Sequence, residues 1–520
     1  MRPTTRRSPL APVLFALLAV LPLANTRRGQ AQPPEPEPQR RALAHEIATA
    51  VDSLAVAAIA GGAGPGLGVA VTLDGRVVHL RAYGMADVTR RIPADASTLW
   101  YVASTSKSFI GMAVSLLAHE GRLDVNAPIT ALLPAARWPA GVRADSLTLS
   151  QFLAHTMGLT GGAVVTQAAF VGQVPERDWP TLLQWSAPRP VGELVYNNLG
   201  YNVAAMVVDR LHADGWRDFV ERRLFHPAGM RETFARVSGL DTRRFAQPHD
   251  LRADGSFATA RFSKVDATMN SAGGHLATLR DLARWTLVQM DSGRLEGAQV
   301  LPAAAVARSH TLLARQTRDA ARRFAFFDRE GWAAGWDLGS YEGERMVSRF
   351  GSYHSTRSHL SFLPARRVGV VAQTNGDAGG AVTDIIAALV YDLEAGRPDA
   401  RARAQARLAQ HLTQLPRALA AVAAQDSVRA TRQRQPLTRG WRAYAGTFTH
   451  PGFGTIVFTD ASGGLRFEWG AQHGPVEIYD AARDQLRIEI AGNGTVAQFL
   501  MGADGRAERV RINEAELVRR

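Results

Sequence analysis

Apolar residues recur at helical spacing through Leu43, Ile47, Val51, Leu54 and Ala58, which predicts a first helix running to about Ile59. The glycine-rich stretch 61–68 comes next. It precedes a strand instead of following one, so it reads as an entry turn and not as a phosphate loop. Residues 67–73 and 76–81, joined by Asp74-Gly75, have the pattern of a hairpin. The apolar run 99–103 leads into Ser104. Beyond it Phe109, Ile110, Met112, Ala113, Leu116 and Leu117 make a buried helix that stops at Gly121. Residues 130–300 read mostly as helix and loop, and 335–375 turn to strands at 335–338, 360–363 and 368–372. A helix follows over 382–393. Helix, antiparallel strands, helical insert, strands and helix together predict an α/β (α+β) chain, an antiparallel sheet covered by helices with a helical subdomain.

The two ends have a different texture. Arg2, Arg6 and Arg7 precede an apolar run over 9–24 and a small-x-small site at Gly29-Gln30-Ala31, the pattern of an export signal over 1–31. Arg27 and Arg28 after the run keep an uncleaved anchor as the alternative. Residues 32–40, rich in Pro, Glu and Gln, read as a linker to a main domain over 41–396. No further segment reaches the roughly 18 apolar residues of a membrane span. An Arg-, Ala- and Gln-rich stretch, 397–437, reads as a helical connector. Short strands with Gly turns over 438–520 predict a separate small all-β barrel or sandwich.

Composition narrows the function classes. The 520 residues contain no Cys, which excludes disulfides, Cys-ligated zinc and a thiol nucleophile. The net charge is +13, but the cations are scattered and no basic stripe is interleaved with aromatics. That speaks against nucleic acid as a partner and leaves an anionic envelope surface open. Of the cationic side chains 58 are Arg and only two, Lys107 and Lys264, are Lys.

One of those two lies three residues after Ser104, at the predicted helix N-terminus. Lys107 is then one turn from Ser104 on the same face, within reach of the hydroxyl. Arg keeps its proton in a protein, whereas a desolvated Lys can act as a base near neutral pH. Ser-x-x-Lys alone is a weak signal, and acyl transfer needs two further elements. Tyr196-Asn197-Asn198 offers the first: Tyr196 as proton relay and Asn198 as an amide holding the amine, side by side in an extended turn. Arg349-Phe350-Gly351-Ser352, just before 357–364 in an edge-strand pair, offers the second. Gly351 admits a substrate backbone, the N–H of Ser352 pairs with that of Ser104 around an oxyanion, and Arg349 is placed to clamp a carboxylate bidentately.

These stretches resemble the serine β-lactamase and penicillin-binding family, in the branch of class C β-lactamases, D-Ala-D-Ala carboxypeptidases and family VIII esterases. His155-Thr156-Met157-Gly158-Leu159, Gly200-Tyr201, Ser271-Ala272-Gly273-Gly274 and Ser361-Phe362-Leu363-Pro364 with 368–375 match in order across about 45–395. The tail, with Tyr444-Ala445-Gly446-Thr447-Phe448 and His450-Pro451-Gly452-Phe453-Gly454, is similar to the small lipocalin-like barrel often appended to this branch. The resemblance implies a β-lactamase/transpeptidase-like fold and an acyl-enzyme on Ser104. Arg349 departs from the Lys or His usual at its position. An alignment on His354-Ser355-Thr356 would lose the glycine and the strand phasing.

The expectation is an exported, periplasmic or secreted serine hydrolase without metal or organic cofactor, acting on a small peptide, a β-lactam or an ester. Lys107, alone or with Tyr196, is expected to take the Ser104 proton. The tail is expected to bind carbohydrate or peptide or to assemble a homo-oligomer. The alternative is a non-catalytic scaffold or ligand-binding protein of the same fold, which only Arg349 favours.

Overall fold

A computed structural model describes residues 37–317, 326–376, 379–461 and 463–520. The expected export signal over 1–31 lies outside the described residues. The chain divides into two compact units, Met1–Arg41 and Ala42–Arg520. The described part of the first is the opening of helix α1 (Glu37–Ala60), where Arg41 Nε donates to Glu37 Oε1. The helix therefore begins inside the stretch read as linker. Pro38 is tolerated there because first-turn N–H groups have no partner in the helix, and Glu37 complements the helix dipole. By length and hydropathy α1 alone among the described residues could cross a membrane. Its Ile47, Val51, Leu54 and Ala58 stripe is buried in an apolar core, while much of the remaining helix surface is open.

The second unit is built on a nine-stranded sheet. In chain order its strands are β1 (Gly66–Leu73), β2 (Arg76–Asp87), β3 (Ile92–Pro93), β4 (Ala314–Arg315), β5 (Asp328–Trp332), β6 (Asp337–Tyr341), β7 (Glu344–Tyr353), β8 (Thr356–Leu363) and β9 (Val368–Thr374). Their spatial order is β4-β5-β6-β7-β8-β9-β1-β2-β3, with antiparallel pairing throughout. β1 is buried along its whole length. Leu67, Val69, Val71 and Leu73 join a core with α1 and helix α5 (Gly380–Glu394), and Ala70 faces the opposite core. That second core contains α2 (Lys107–His119), α3 (Leu199–Leu211) and α4 (Leu279–Met290), the helical side of the molecule.

Helices α6 (Ala400–Leu412) and α7 (Leu415–Gln433) fill the expected connector. Eight strands then close a barrel: β10 (Gly446–His450), β11 (Gly454–Ala461), β12 (Gly464–Trp469), β13 (Gln472–Asp480), β14 (Gln485–Ile490), β15 (Asn493–Met501), β16 (Ala507–Ile512) and β17 (Ala515–Arg519). Period-2 burial, as in Leu465, Phe467 and Trp469, fills its interior. Closure leaves no long free edge. The barrel packs on the helical side. Gln173 exchanges hydrogen bonds with the Thr455 backbone, Ala471 N donates to Val171 O, and Trp185 stacks edge-on with His450.

One expectation needs correcting. β7 and β8 are not a pair at the sheet's edge, because β6 lies outside β7. The pairing with β6 stops at Ser348 opposite Asp337, however, so residues 349–353 run on with β8 as their only partner strand among the described residues.

Candidate active site

Strand residues Trp100–Tyr101 bring the chain to a 3-10 turn, Ala103–Ser106, that runs directly into α2. Ala103 has φ 45, a left-handed conformation that costs a β-carbon-bearing residue about 1–3 kcal/mol. The turn sets Ser104 just before the helix with Lys107 at the first helical position. Lys107 is fully buried. Its Nζ lies 3.0 Å from Ser104 Oγ, 2.7 Å from Asn198 Oδ1 and 2.7 Å from the Ala272 carbonyl oxygen. Three acceptors match the three donors of an ammonium. Burial lowers the Lys107 pKa to about 8, with Tyr196 working against the shift and Arg349 adding to it.

Tyr196 comes from the extended segment before α3. Its hydroxyl is 2.6 Å from Ser104 Oγ and accepts from Arg349 Nη2 at 2.9 Å. Although 44% of the residue is open to the cleft, that hydroxyl is turned inward onto these partners. Burial acts to raise the phenol's pKa. The charges of Lys107 and Arg349, with the hydrogen bonds, outweigh it and bring the value down to about 7. Asn197 and Asn198 divide the work at the helix start. Asn197 Oδ1 accepts from Leu199 N, while Asn198 reaches Lys107.

β7 supplies the far wall. Gly351 lies so close to the Ser104 turn that a β-carbon there would sit 2.2 Å from Val102 O and 3.0 Å from Ser104 N. Only glycine lets the strand pass at this distance. Ser352 is exposed and lines the cleft with Ser104, Tyr196, Trp332, Phe350 and Arg357, enclosing about 360 Å³. A larger hollow of about 610 Å³ along Gln289, His310, Arg345 and Phe362 gathers no such cluster of reactive groups.

Arg349 is anchored by the protein around it. It is 2% exposed, and its nitrogens donate to the Ser104 carbonyl (2.9 Å), Asp337 Oδ2 (3.2 Å) and the Tyr196 hydroxyl. Each guanidinium nitrogen has a partner within the protein, and the side chain still lines the cleft beside Ser104 and Tyr196. It fixes the Ser104 backbone and sets a positive charge beside the phenol.

The structure adds groups that were not singled out for the site. Asp337 pairs with both Arg349 and Arg329. Trp332 packs against the Tyr196 ring at 5.3 Å and under both guanidinium groups. His155, seen in sequence only as part of a family motif, packs 4.7 Å from the Tyr196 ring, and its Nδ1 accepts from Asn197 N. Burial, then the charges of Lys107 and Arg349, hold its pKa well below the usual value, so it is a neutral support. The Ala272 carbonyl is aimed by its loop, in which Asn270 Oδ1 accepts from Ala272 N and Ser271 Oγ donates to Tyr201 O. His155 and Ala272 were visible only within family motifs, and Asp337 only as an acid beside Trp336 in an apolar run.

A family model described as Beta-lactamase matches residues 51–395. The chain belongs to the Beta-lactamase family, within the serine hydrolase superfamily. It is 20% identical over 313 residues to "Protein flp" of Staphylococcus aureus strain MW2, covering 60% of this chain and 59% of that one. The chain thus spans less than two thirds of that relative's length. Among solved structures it resembles the octameric penicillin-binding protein homologue from Pyrococcus abyssi, with TM-score 0.57, 18% identity and coverage of 90% of this chain and 99% of that chain. It also resembles the D-amino acid amidase of Ochrobactrum anthropi SV3, with TM-score 0.54, 19% identity and coverage of 68% and 98%. These likenesses establish the β-lactamase/transpeptidase-like fold.

Proposed function

We propose that the protein is an exported serine hydrolase that cleaves amide or ester bonds through an acyl-Ser104 intermediate. One observation carries this reading: Lys107 Nζ and the Tyr196 hydroxyl converge on the same oxygen, at 3.0 and 2.6 Å. Tyr196, held close to its phenolate by two cations, accepts the Ser104 proton as Oγ attacks the substrate carbonyl. Lys107 stays an ammonium and stabilises the phenolate. The carbonyl oxygen, now negative, is received by the N–H groups of Ser104 and Ser352. Tyr196 returns its proton to the departing amine or alcohol. Water then attacks the acyl carbonyl, giving up a proton to the tyrosine, and Ser104 leaves reprotonated.

The substrate reading is a small D-peptide amide, ester or β-lactam. The fold shared with a D-amino acid amidase supports the first of these, and the aromatic walls Trp332 and Phe350 suit an apolar side chain. Self-association belongs to the same proposal, supported by the octameric homologue and checked by the mass in solution.

The test is covalent labelling with a fluorophosphonate or a penicillin, followed by a panel of p-nitrophenyl esters, D-aminoacyl amides and nitrocefin. Labelling and turnover that vanish in Ser104→Ala are expected. Absence of both in the wild type would leave a non-catalytic binding protein of the same fold.

A further inference from the structure

We propose that the C-terminal barrel is a clasp on the oxyanion strand, and that His354 and Gln472 are the positioning residues through which it acts. The proposal rests on the hydrolase reading above. β7 carries Ser352, then Tyr353, and reverses at His354. Its last five residues pair with β8 alone among the described residues, so this end of the strand needs support from elsewhere.

Part of that support comes from the barrel, and part from Asp250 of the main domain. His354 Nδ1 lies 3.0 Å from the carbonyl oxygen of Ala491, in the turn between β14 and β15, and its Nε2 lies 2.6 Å from Asp250 Oδ1. The turn is shaped around the imidazole. Gly492 has φ +78, and a β-carbon there would lie 1.3 Å from His354 Nδ1. Gln472 of β13 ties the turn down. Its Oε1 accepts from Ala491 N at 2.9 Å, and its Nε2 donates to Phe170 O at 3.0 Å and to Ser263 Oγ at 3.4 Å. Ser263 Oγ in turn meets the Tyr353 hydroxyl at 3.0 Å. Two partly buried routes thus join one barrel turn to the two residues that follow Ser352. An oxyanion donor helps only when it is held in place before charge develops.

The experiment compares wild type with His354→Ala, His354→Gln and Gln472→Ala, with kcat counted per titratable active site. Hydrogen exchange at residues 351–356 is followed alongside as a readout independent of activity. His354→Ala and Gln472→Ala are expected to lower kcat about tenfold with KM within about twofold, and to speed exchange in that segment. The double variant is expected to fall no further than the worse single, because both cut one clasp. His354→Gln, which keeps a donor for Ala491, is expected to recover most of the rate. Unchanged exchange with kcat per site within about twofold in both alanine variants overturns the clasp. A wild type with no Ser104-dependent label defeats the hydrolase reading, and exchange alone then decides for or against the clasp.

Discussion

Lys107 has its three donors committed to Ser104, Asn198 and Ala272, and this changes what the lysine is for. The sequence points to Lys107, alone or with Tyr196, as the group that takes the Ser104 proton. The geometry fits a charged amine serving a tyrosine that takes the proton. Lys107→Arg is expected to keep the fold and lose about a thousandfold in turnover, because a planar guanidinium cannot direct three bonds tetrahedrally; single-turnover kinetics with circular dichroism check both halves. In the same scheme kcat/KM rises as pH passes about 7, where Tyr196 deprotonates, and falls above about 8, where Lys107 loses its charge. The two limbs belong to the coupled pair. Tyr196→Phe is expected to remove the acid limb with most of the activity. Lys264 makes a prediction about stability. Burial lowers its pKa to about 7, so between there and the ordinary lysine value the unfolded chain binds more protons than the folded one. The wild type therefore gains stability relative to Lys264→Met as pH rises through that window, by a few kcal/mol in denaturant titrations. Ser104, Lys107, Tyr196 and Asn198 were legible because each lies in a short local pattern. The commitment of Arg349 was not, since its partners arrive from three separate segments.

At the scale of elements, the site is a meeting of one turn, one strand and one helix start. The strand approaches the turn closely enough that Gly351→Ala is expected to push β7 away from Val102 O. The cost is about 1–3 kcal/mol, with a larger loss in acylation than in thermal stability. Asp337 joins β6 to the same assembly by pairing with Arg329 and Arg349. Asp337→Asn leaves two guanidinium groups crowded without their carboxylate and is expected to destabilise the fold by about 3–5 kcal/mol, readable as a lower melting temperature. Periodicity foretold the helix after Ser104 and the strands around 360–372. It did not foretell the order of strands in the sheet, because register across nine strands is decided by which faces bury together. The early start of α1 was hidden by proline and charge, both of which are at home in a first helical turn.

At the scale of the molecule, the tail was recognisable as all-β from its alternation and glycine turns. Its grip on the helical side was not, since Gln167, Gln173 and Trp185 on that side and Gln472 on the barrel read as ordinary polar or surface residues until their partners across the junction are in place. The barrel's apolar interior is continuous with the core of the helical side. One cooperative calorimetric transition is expected for residues 42–520; two well-separated transitions would show that the halves stand independently.

Both lysines are enclosed, Lys107 at 0% and Lys264 at 7% exposure, in a chain whose other basic side chains are arginine or histidine. The native surface over the described residues consequently offers amine-selective chemistry almost nothing to grasp. Lysine-specific proteases should pass the folded protein by and cut at two fixed places once it opens, and succinimidyl dyes should gain the same two places beyond the terminal amine, which gives the protein a tracer of its own unfolding.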